Sequence, residues 1–303
     1  VDFSELKVEE PDYEALIDLF QQLEFRSMLK SIQQDAPMQA ISTPDACKNY
    51  GLVKSAAELK EITEQLTKEK GFAFYMQQEG VPPHDAPLSA LGLAWGDSCA
   101  TVVFPTDPEE RDQMVEFLNS VMGNQKIEKW CHDAKAEMII CKRHNISLTG
   151  VTADTMLAAH LLNSSLSNPN LSEIALKHLN QVVTFAEDES GMAQRALVIK
   201  KLWPVLREAL EKDDLYELFA ELELPLSAVL TDMELQGIKV DTDLLKEMSE
   251  EVQKYLLDLT GEIYALAGEG FNINSSRQLG HILFEKLKLP VIKKTKTGYS
   301  TDA

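Results

Sequence analysis

The sequence has no long hydrophobic run and no surplus of basic residues, and both absences limit what the protein can be. No apolar stretch in its 303 residues approaches the ~20 residues that a membrane-spanning helix requires. The net charge of −20 argues against a protein coated in basic surface for nucleic acid. The N-terminus has neither a basic leader nor an apolar signal core. Since it also lacks an initiator Met, we expect it to come from the middle of a longer protein.

Cysteine is scarce, and glycine-rich phosphate loops of the P-loop or Rossmann kind are absent. The four cysteines are Cys47, Cys99, Cys131 and Cys141. They show no paired spacing, which predicts buried thiols in a reducing, cytoplasmic setting. The alternative is a zinc site formed by Cys131, His132, Cys141 and His144, although this spacing matches no common zinc motif.

The remaining composition is that of a globular protein with room for two domains. Hydrophobic residues make up 44% of the chain and charged residues 26%, as in soluble globular proteins. Apolar residues at helical spacing predict a helix over 12–34, and two prolines without periodicity predict a linker over 35–50. Ser55 then predicts a helix start, with Glu58 at the capping-box position.

Strands and helices alternate in the next part of the chain. The stretch GFAFY at 71–75 predicts a buried strand, and two apolar runs around Gly96-Asp97 predict a hairpin. The elements predicted next are helix 107–122, strand 126–131, helix 133–144 and helix 152–163. A strand meander followed by a helix–strand–helix run favours an α/β sandwich.

From residue 191 the pattern is almost wholly helical. Helices are predicted over 191–212 and 213–236, followed by a long amphipathic helix over 241–267. Residues 286–301 carry five lysines and no acid. This is where the chain would touch phosphates, while the alternative is a solvated lysine loop.

A short polar motif, FNINSSRQLG, precedes the lysines. Asn274 or Ser275 can cap a helix that begins at Ser276. Free N–H groups flanked by Asn272 and Arg277 would suit a phosphate. The alternative is a capped helix that only packs.

Three stretches, MELQGIKVD, FNINSSRQLG and LPVIKKTKTGYST, resemble the thumb of family A DNA polymerases. Residues 1–34 resemble the segment that follows the 5′-nuclease domain of that family, and 50–215 resemble its 3′–5′ exonuclease domain. The resemblance implies an RNase H-like α/β fold with a mixed sheet and flanking helices, followed by an all-helical thumb segment. The implied domains are 1–49 as a linker and helix, 50–219 as the exonuclease-like domain and 220–303 as the start of the polymerase domain.

Exonucleases of this family hold two metal ions on four carboxylates. The matching positions here are Tyr75, Gln77, Glu137 and Met192, with Asp133 where an Asn is usual. Because Tyr and Met supply no anionic oxygen at neutral pH and Gln supplies only an amide, one acid remains. The resemblance therefore predicts a vestigial site without metal or catalysis.

The side chains of this vestigial site also have a purely structural interpretation. Tyr75 and Met192 would fill the former cleft as core residues. Asp133 and Glu137, four residues apart on one helix face, would form a solvated acidic edge. The alternative is an active metal-dependent exonuclease whose ligands have moved to acids such as Asp133 and Asp154.

The resemblance implies a fragment of a DNA-directed DNA polymerase that works in replication and repair. The polymerase aspartates belong to the palm, beyond the matched residues, so this chain is expected to need no cofactor, with Mg²⁺ serving the parent polymerase. The expected partner is the backbone of primer–template DNA, bound by a cytoplasmic monomer with no membrane contact. The predicted DNA-binding residues are Asn272, Asn274, Ser275, Arg277, Lys293, Lys294, Thr295, Lys296 and Thr297.

Overall fold

The chain folds into two compact units, Val1–Gly237 and Ile238–Ala303. A computed structural model describes residues 11–23, 25, 28, 47–77, 80–165, 169–181, 183–291, 294–295 and 298–300. Most of the segment 24–46, including the second half of the helix predicted over 12–34, lies outside the described residues. The two compact units divide after Gly237, whereas the sequence predicted a domain boundary at 220. That domain boundary stays a prediction.

A six-stranded mixed sheet forms the centre of the first unit. Its strands are β1 (Asn49–Val53), β2 (Gly71–Tyr75), β3 (Ala90–Trp95), β4 (Ser98–Val103), β5 (Glu128–Cys131) and β6 (Val151–Asp154). Their order in the sheet is β1-β4-β3-β2-β5-β6. The meander β2-β3-β4 is antiparallel, while β1 joins β4, β5 joins β2 and β6 joins β5 in parallel. The mixed sheet of the predicted fold is therefore confirmed.

Helices flank the sheet and complete the first unit. They are α1 (Tyr13–Gln22), α2 (Ala56–Leu66), α3 (Pro108–Met122), α4 (Ala134–Arg143), α5 (Thr155–Leu162), α6 (Leu171–Leu179), α7 (Ser190–Lys212) and α8 (Leu224–Gln236). A helical turn at Tyr216–Leu218 and a π-helical turn at Phe219–Glu223 connect α7 to α8. The long helix α7 crosses β2, β3 and β4, while α5 and α6 pack against α7, and α8 packs against α4. Every residue of β2 is buried, so both faces of this strand are covered.

Local sequence signals explain where several elements begin and turn. The Ser55 hydroxyl accepts a hydrogen bond from the Glu58 N–H, and the Glu58 carboxylate accepts one from the Ser55 N–H, which confirms the predicted capping box. Gly96 adopts a positive φ of 43° between β3 and β4, as the predicted hairpin requires. Two strands were not predicted: β1 begins inside the expected linker, and β6 overlaps the start of the expected helix 152–163.

Gly92 in β3 allows the N-terminus of α7 to lie directly on the sheet. A Cβ atom at this position would stand 2.0 Å from the backbone oxygen of Met192. No side chain fits in that gap, so a glycine is required for this close approach.

The cysteines differ from the sequence-based expectation of four unpaired thiols. Cys47, just before β1, forms a disulfide with Cys99 in β4, whereas Cys131 and Cys141 are free and buried. The pairing was missed because 52 residues separate the two cysteines and nothing in the local sequence marks them as neighbours.

The second unit is built around one long helix, α9 (Thr242–Ala267). The Asp241 side chain caps it by accepting a hydrogen bond from the Leu244 N–H, and Gly268 ends it at a φ of 72°. A short helix α10 (Ser276–Gly280) continues into a π-helical turn at His281–Lys286. The segment is helical as predicted, with a small additional ladder between β7 (Lys294–Thr295) and β8 (Gly298–Tyr299). Within the described ranges, no helix has the length and apolar character needed to cross a membrane.

Candidate functional site

The candidate site lies where β2 ends against the first turns of α4. Glu137 on α4 is fully buried, and its Oε1 accepts hydrogen bonds from the Met76 backbone N–H at 3.0 Å and from Gln77 Nε2 at 3.4 Å. Gln77 Nε2 also lies 2.6 Å from the backbone oxygen of His132, to which it donates. The structure thus brings Gln77 and Glu137 together; that they belong to a former metal site stays a prediction.

Burial sets the charge of Glu137. Desolvation, with a smaller contribution from the nearby Asp133, raises its pKa to about 8 although the hydrogen bonds from Met76 and Gln77 oppose the shift. Its second oxygen, Oε2, has no hydrogen-bond partner. At neutral pH this carboxyl is therefore mainly protonated, which is the wrong state for a ligand of a divalent cation.

The interpretation of Asp133 and Glu137 as a solvated acidic edge is wrong. Glu137 is 0% exposed, and Asp133 is half-buried with a pKa that desolvation raises. Asp133 adopts a left-handed φ of 59°, and its side chain caps α4 by accepting from the Ala136 N–H at 3.2 Å. The spacing of four residues placed both acids near one helix face, but tertiary packing turned that face inward.

Asp154 is a residue whose importance sequence reasoning underestimated. The sequence suggested it as a ligand of the relocated metal site, but in the structure it caps two helices at once. Its Oδ1 accepts from the N–H groups of Asp133 at 3.0 Å, Met156 at 2.9 Å and Leu157 at 3.1 Å, and its Oδ2 accepts from Ala134 at 2.7 Å. These four donors counter the desolvation that raises its pKa to about 6. Because backbone groups occupy both oxygens, Asp154 fits a structural role better than a metal site.

Tyr75 and Met192 occupy the other two vestigial positions. Tyr75 is 7% exposed and belongs to the core, against which Met192 packs while partly buried. The Arg195 guanidinium lies 5.7 Å from the centre of the Tyr75 ring and 4.5 Å from that of Phe185. The structure therefore places the Arg195 guanidinium near the ring of Tyr75.

A divalent metal does not fit the donors found here. Among the residues that the structure describes, no group of three or more His, Cys, Asp or Glu side chains is placed to hold a metal ion. The residues of the zinc alternative have separate partners. His132 Nδ1 lies 2.9 Å from Thr155 Oγ1, and His144 Nε2 lies 2.8 Å from the Ala86 backbone oxygen. Burial lowers the pKa of His132 to about 4 and raises those of the Cys131 and Cys141 thiols well above their usual range.

The predicted DNA-binding residues fall in the second unit. Ser275 caps α10 by accepting from the Gln278 N–H at 3.4 Å, and Asn272 Oδ1 accepts from the Asn274 N–H at 3.1 Å. Asn272, Asn274 and Arg277 are exposed. Lys294 and Thr295 form β7. The remaining predicted residues, Lys293, Lys296 and Thr297, lie outside the described residues.

The mixed sheet, with a helix laid across its meander and an acidic remnant beside β2, defines the class of the first unit. It is an RNase H-like α/β domain of the exonuclease kind. Comparison with family models agrees: residues 74–190 match the ribonuclease H-like domain of DNA polymerase I, and residues 242–303 match DNA polymerase family A.

Relatives identify the protein family more closely. The chain is 33% identical to DNA polymerase I of Bacillus subtilis, in a match that covers 96% of this chain and 33% of that protein. It is also 33% identical to DNA polymerase I of Geobacillus stearothermophilus, in a match that covers 96% of this chain and 34% of that protein. A solved structure, the POL domain of Pol1 from M. smegmatis in complex with DNA primer-template and dNTP, has a TM-score of 0.61 and 28% identity, covering 84% of this chain and 44% of that one. The chain thus spans about a third of the length of these curated relatives. The predicted resemblance to family A DNA polymerases, of the bacterial DNA polymerase I type, is confirmed.

Proposed function

We propose that this chain is part of a DNA-directed DNA polymerase, and that its exonuclease-like domain is a scaffold without proofreading chemistry. One observation carries the proposal: Glu137, the one acid left at the four positions, is fully buried and accepts hydrogen bonds from Met76 and Gln77. Its burial raises its pKa to about 8, which favours the protonated form at neutral pH. Two-metal catalysis needs several ionised carboxylates that hold cations about 4 Å apart. The contacts of Glu137 instead tie the end of β2 to α4.

The same contacts disfavour the alternative of an active nuclease with relocated ligands. Asp154 would have to give up four backbone donors, and Asp133 would have to leave the N-terminus of α4. Each uncapped helix start would cost about 1 kcal/mol. A relocated site would therefore work against the packing of both helices.

A nuclease assay tests the scaffold proposal. The chain is incubated with a 3′-end-labelled primer in Mg²⁺ and, separately, in Mn²⁺, beside Glu137→Ala and Asp133→Ala variants purified in the same way. We expect no stepwise shortening from any of the three proteins. Shortening by the native chain that is lost in Glu137→Ala, or in the Asp133→Ala variant that removes a ligand of the relocated site, would overturn the proposal. Equal shortening by all three proteins would identify a contaminating nuclease.

The second part of the proposal concerns DNA binding by the C-terminal unit. Its support is the run of five lysines without an acid at 286–301 in a chain of net charge −20, together with the solved relative that holds a primer-template. Lysines and hydroxyls bind phosphates without reading bases. We propose that this stretch, with Asn272, Asn274, Ser275 and Arg277, contacts the duplex backbone.

Salt-dependent binding to a labelled primer–template duplex tests this part. If three lysines contact phosphates, log K should fall with log[salt] at a slope of roughly −2.7. Charge reversal of Lys293, Lys294 and Lys296 to Glu should abolish binding. The matched control reverses three exposed lysines of the first unit, Lys60, Lys68 and Lys126, which changes the net charge equally. Equal loss in both variants would show that net charge alone, and not this stretch, governs binding.

The parent protein's properties belong to the same proposal. We propose that it extends primers with Mg²⁺, in replication and repair, as a cytoplasmic monomer. The chain alone should show no primer extension, because the resemblance places the polymerase aspartates outside the matched residues. A primer-extension assay with all four dNTPs tests this, and extension by the chain alone would contradict it.

A further inference from the structure

We propose that Cys47 and Cys99 form a reversible dithiol–disulfide pair that fastens the edge strand β1 to the sheet. Reduction would loosen this edge while the rest of the sheet keeps its structure. The inference is independent of the nuclease and polymerase proposals, since it rests only on the residues at one side of the sheet.

The strand β1 lies at one edge of the sheet and buries little apolar surface. In the sheet order, β1 lies at the edge and has β4 as its one neighbour. Of its apolar side chains, Tyr50 is 45% exposed and Leu52 40% exposed, and only Val53 at its end is buried. A short edge strand with so little buried apolar surface opens easily.

The disulfide lies at the N-terminal end of β1. Cys47 lies two residues before the first residue of β1, and Cys99 is in β4 opposite Tyr50. The Cα atoms of the two cysteines are 6.0 Å apart, a normal separation for a disulfide. Another contact at this end is the ion pair between Lys48 and Asp97 at 3.0 Å, and both side chains are largely exposed. Such a pair contributes little in water.

The two sulfurs differ in access, which suits thiol–disulfide exchange. Cys99 is 3% exposed, whereas Cys47 is only half-buried. A small thiolate can reach the Cys47 sulfur, form a mixed disulfide there and release Cys99 as a thiolate that takes up a proton. A second small thiolate then releases Cys47, so two small thiols become one small disulfide and two protein thiols result. Oxidation by a small disulfide such as oxidised glutathione is the reverse reaction.

The other two cysteines provide an internal control. Cys131 and Cys141 are both fully buried, and burial raises the pKa of each thiol well above its usual range. Thiols of this kind react slowly because little thiolate is present. Redox chemistry should therefore be confined to Cys47 and Cys99 as long as the protein stays folded.

The first test counts thiols. The native chain is equilibrated with oxidised glutathione or with dithiothreitol, unfolded in acid, alkylated and analysed by mass spectrometry. We expect two alkylated cysteines, Cys131 and Cys141, after oxidation and four after reduction, with a cross-linked peptide that joins Cys47 to Cys99. Four alkylated cysteines under both conditions, or a cross-link to Cys131 or Cys141, would overturn the proposal.

The second test measures what the disulfide holds in place. Hydrogen exchange should accelerate at least tenfold on reduction in peptides that cover Asn49–Val53, while exchange in Glu128–Cys131 on β5 stays unchanged. The double variant Cys47→Ser/Cys99→Ser should exchange at the reduced rate with or without dithiothreitol. Unchanged exchange in β1 on reduction would mean that the disulfide fastens nothing, and acceleration throughout the sheet would show global destabilisation instead of a local release.

Discussion

Replacing the buried Glu137 by glutamine should make the first unit more stable at high pH and leave it nearly unchanged at low pH. The carboxyl has a pKa of about 8 in the folded chain, compared with an ordinary value of 4.5. Between these two values the unfolded chain loses a proton that the folded chain keeps, so the free energy of unfolding falls as the pH rises. The Glu137 contribution is therefore fully present below pH 4.5 and is lost by about pH 8.

The size of the effect follows from the width of this pH window. A difference of about 3.5 pH units, at roughly 1.4 kcal/mol each, gives a ceiling of about 5 kcal/mol. Other groups titrate in the same range: the raised pKa of Asp154 acts in the same direction, and the lowered pKa of His132 acts oppositely. Both are common to the native chain and the variant, so the difference between the two proteins isolates Glu137.

Glutamine is the matched substitution because it keeps the shape and one acceptor. Its carbonyl oxygen can still accept from the Met76 N–H, and its amide nitrogen replaces the oxygen that has no partner in the native chain. A protonated carboxyl and an amide each leave one donor without a partner at the position of Oε2. The free-energy cost of this unpaired donor is therefore similar in both proteins at low pH.

Urea unfolding followed by tryptophan fluorescence is the assay. All three tryptophans, Trp95, Trp130 and Trp203, lie in the first unit, so the signal reports that unit. The free energy of unfolding should differ little at pH 5, and the variant should be more stable by several kcal/mol at pH 8.5. The control is Glu64→Gln, at an exposed position on α2. If the native and Glu137→Gln curves run parallel from pH 5 to 8.5, the argument for a protonated buried acid is refuted.

Two further predictions concern the packing around the site. Asp154→Asn should lower the free energy of unfolding by about 2 kcal/mol, because the amide nitrogen would face the Ala134 N–H and cannot accept from it. Asp107→Asn is the control, since the Asp107 side chain caps no N–H of α3. Equal urea midpoints for both variants would contradict the argument that Asp154 caps two helices. Gly92→Ala should destabilise the first unit by about 3 kcal/mol or more, because its Cβ would stand 2.0 Å from the Met192 backbone oxygen. The control Gly51→Ala, whose Cβ would meet Ala100 Cβ at 3.8 Å, should lower the free energy of unfolding by less than about 1 kcal/mol. A thermal midpoint unchanged by Gly92→Ala would show that α7 does not approach the sheet so closely.

The sequence alone was sufficient for features that depend on neighbours along the chain. The Ser55–Glu58 capping box, the turn at Gly96 and the long helix α9 were predicted and are present. Each depends on a few consecutive residues, whose hydrogen bonds and backbone angles are set locally. The resemblance also assigned four metal-binding positions with one acid among them, and that assignment stays a prediction.

Tertiary structure alone decided what the remaining acids and cysteines do. Glu137 and Asp133 looked like an exposed acidic face until the packing of α4 against the end of β2 buried Glu137 and raised its pKa. Asp154 serves two helices because β6 brings it beside the start of α4, and β1 finds its partner β4 across 44 residues of intervening chain. Burial and long-range pairing depend on which surfaces meet in three dimensions, and a linear pattern carries no distance between residues far apart in the chain.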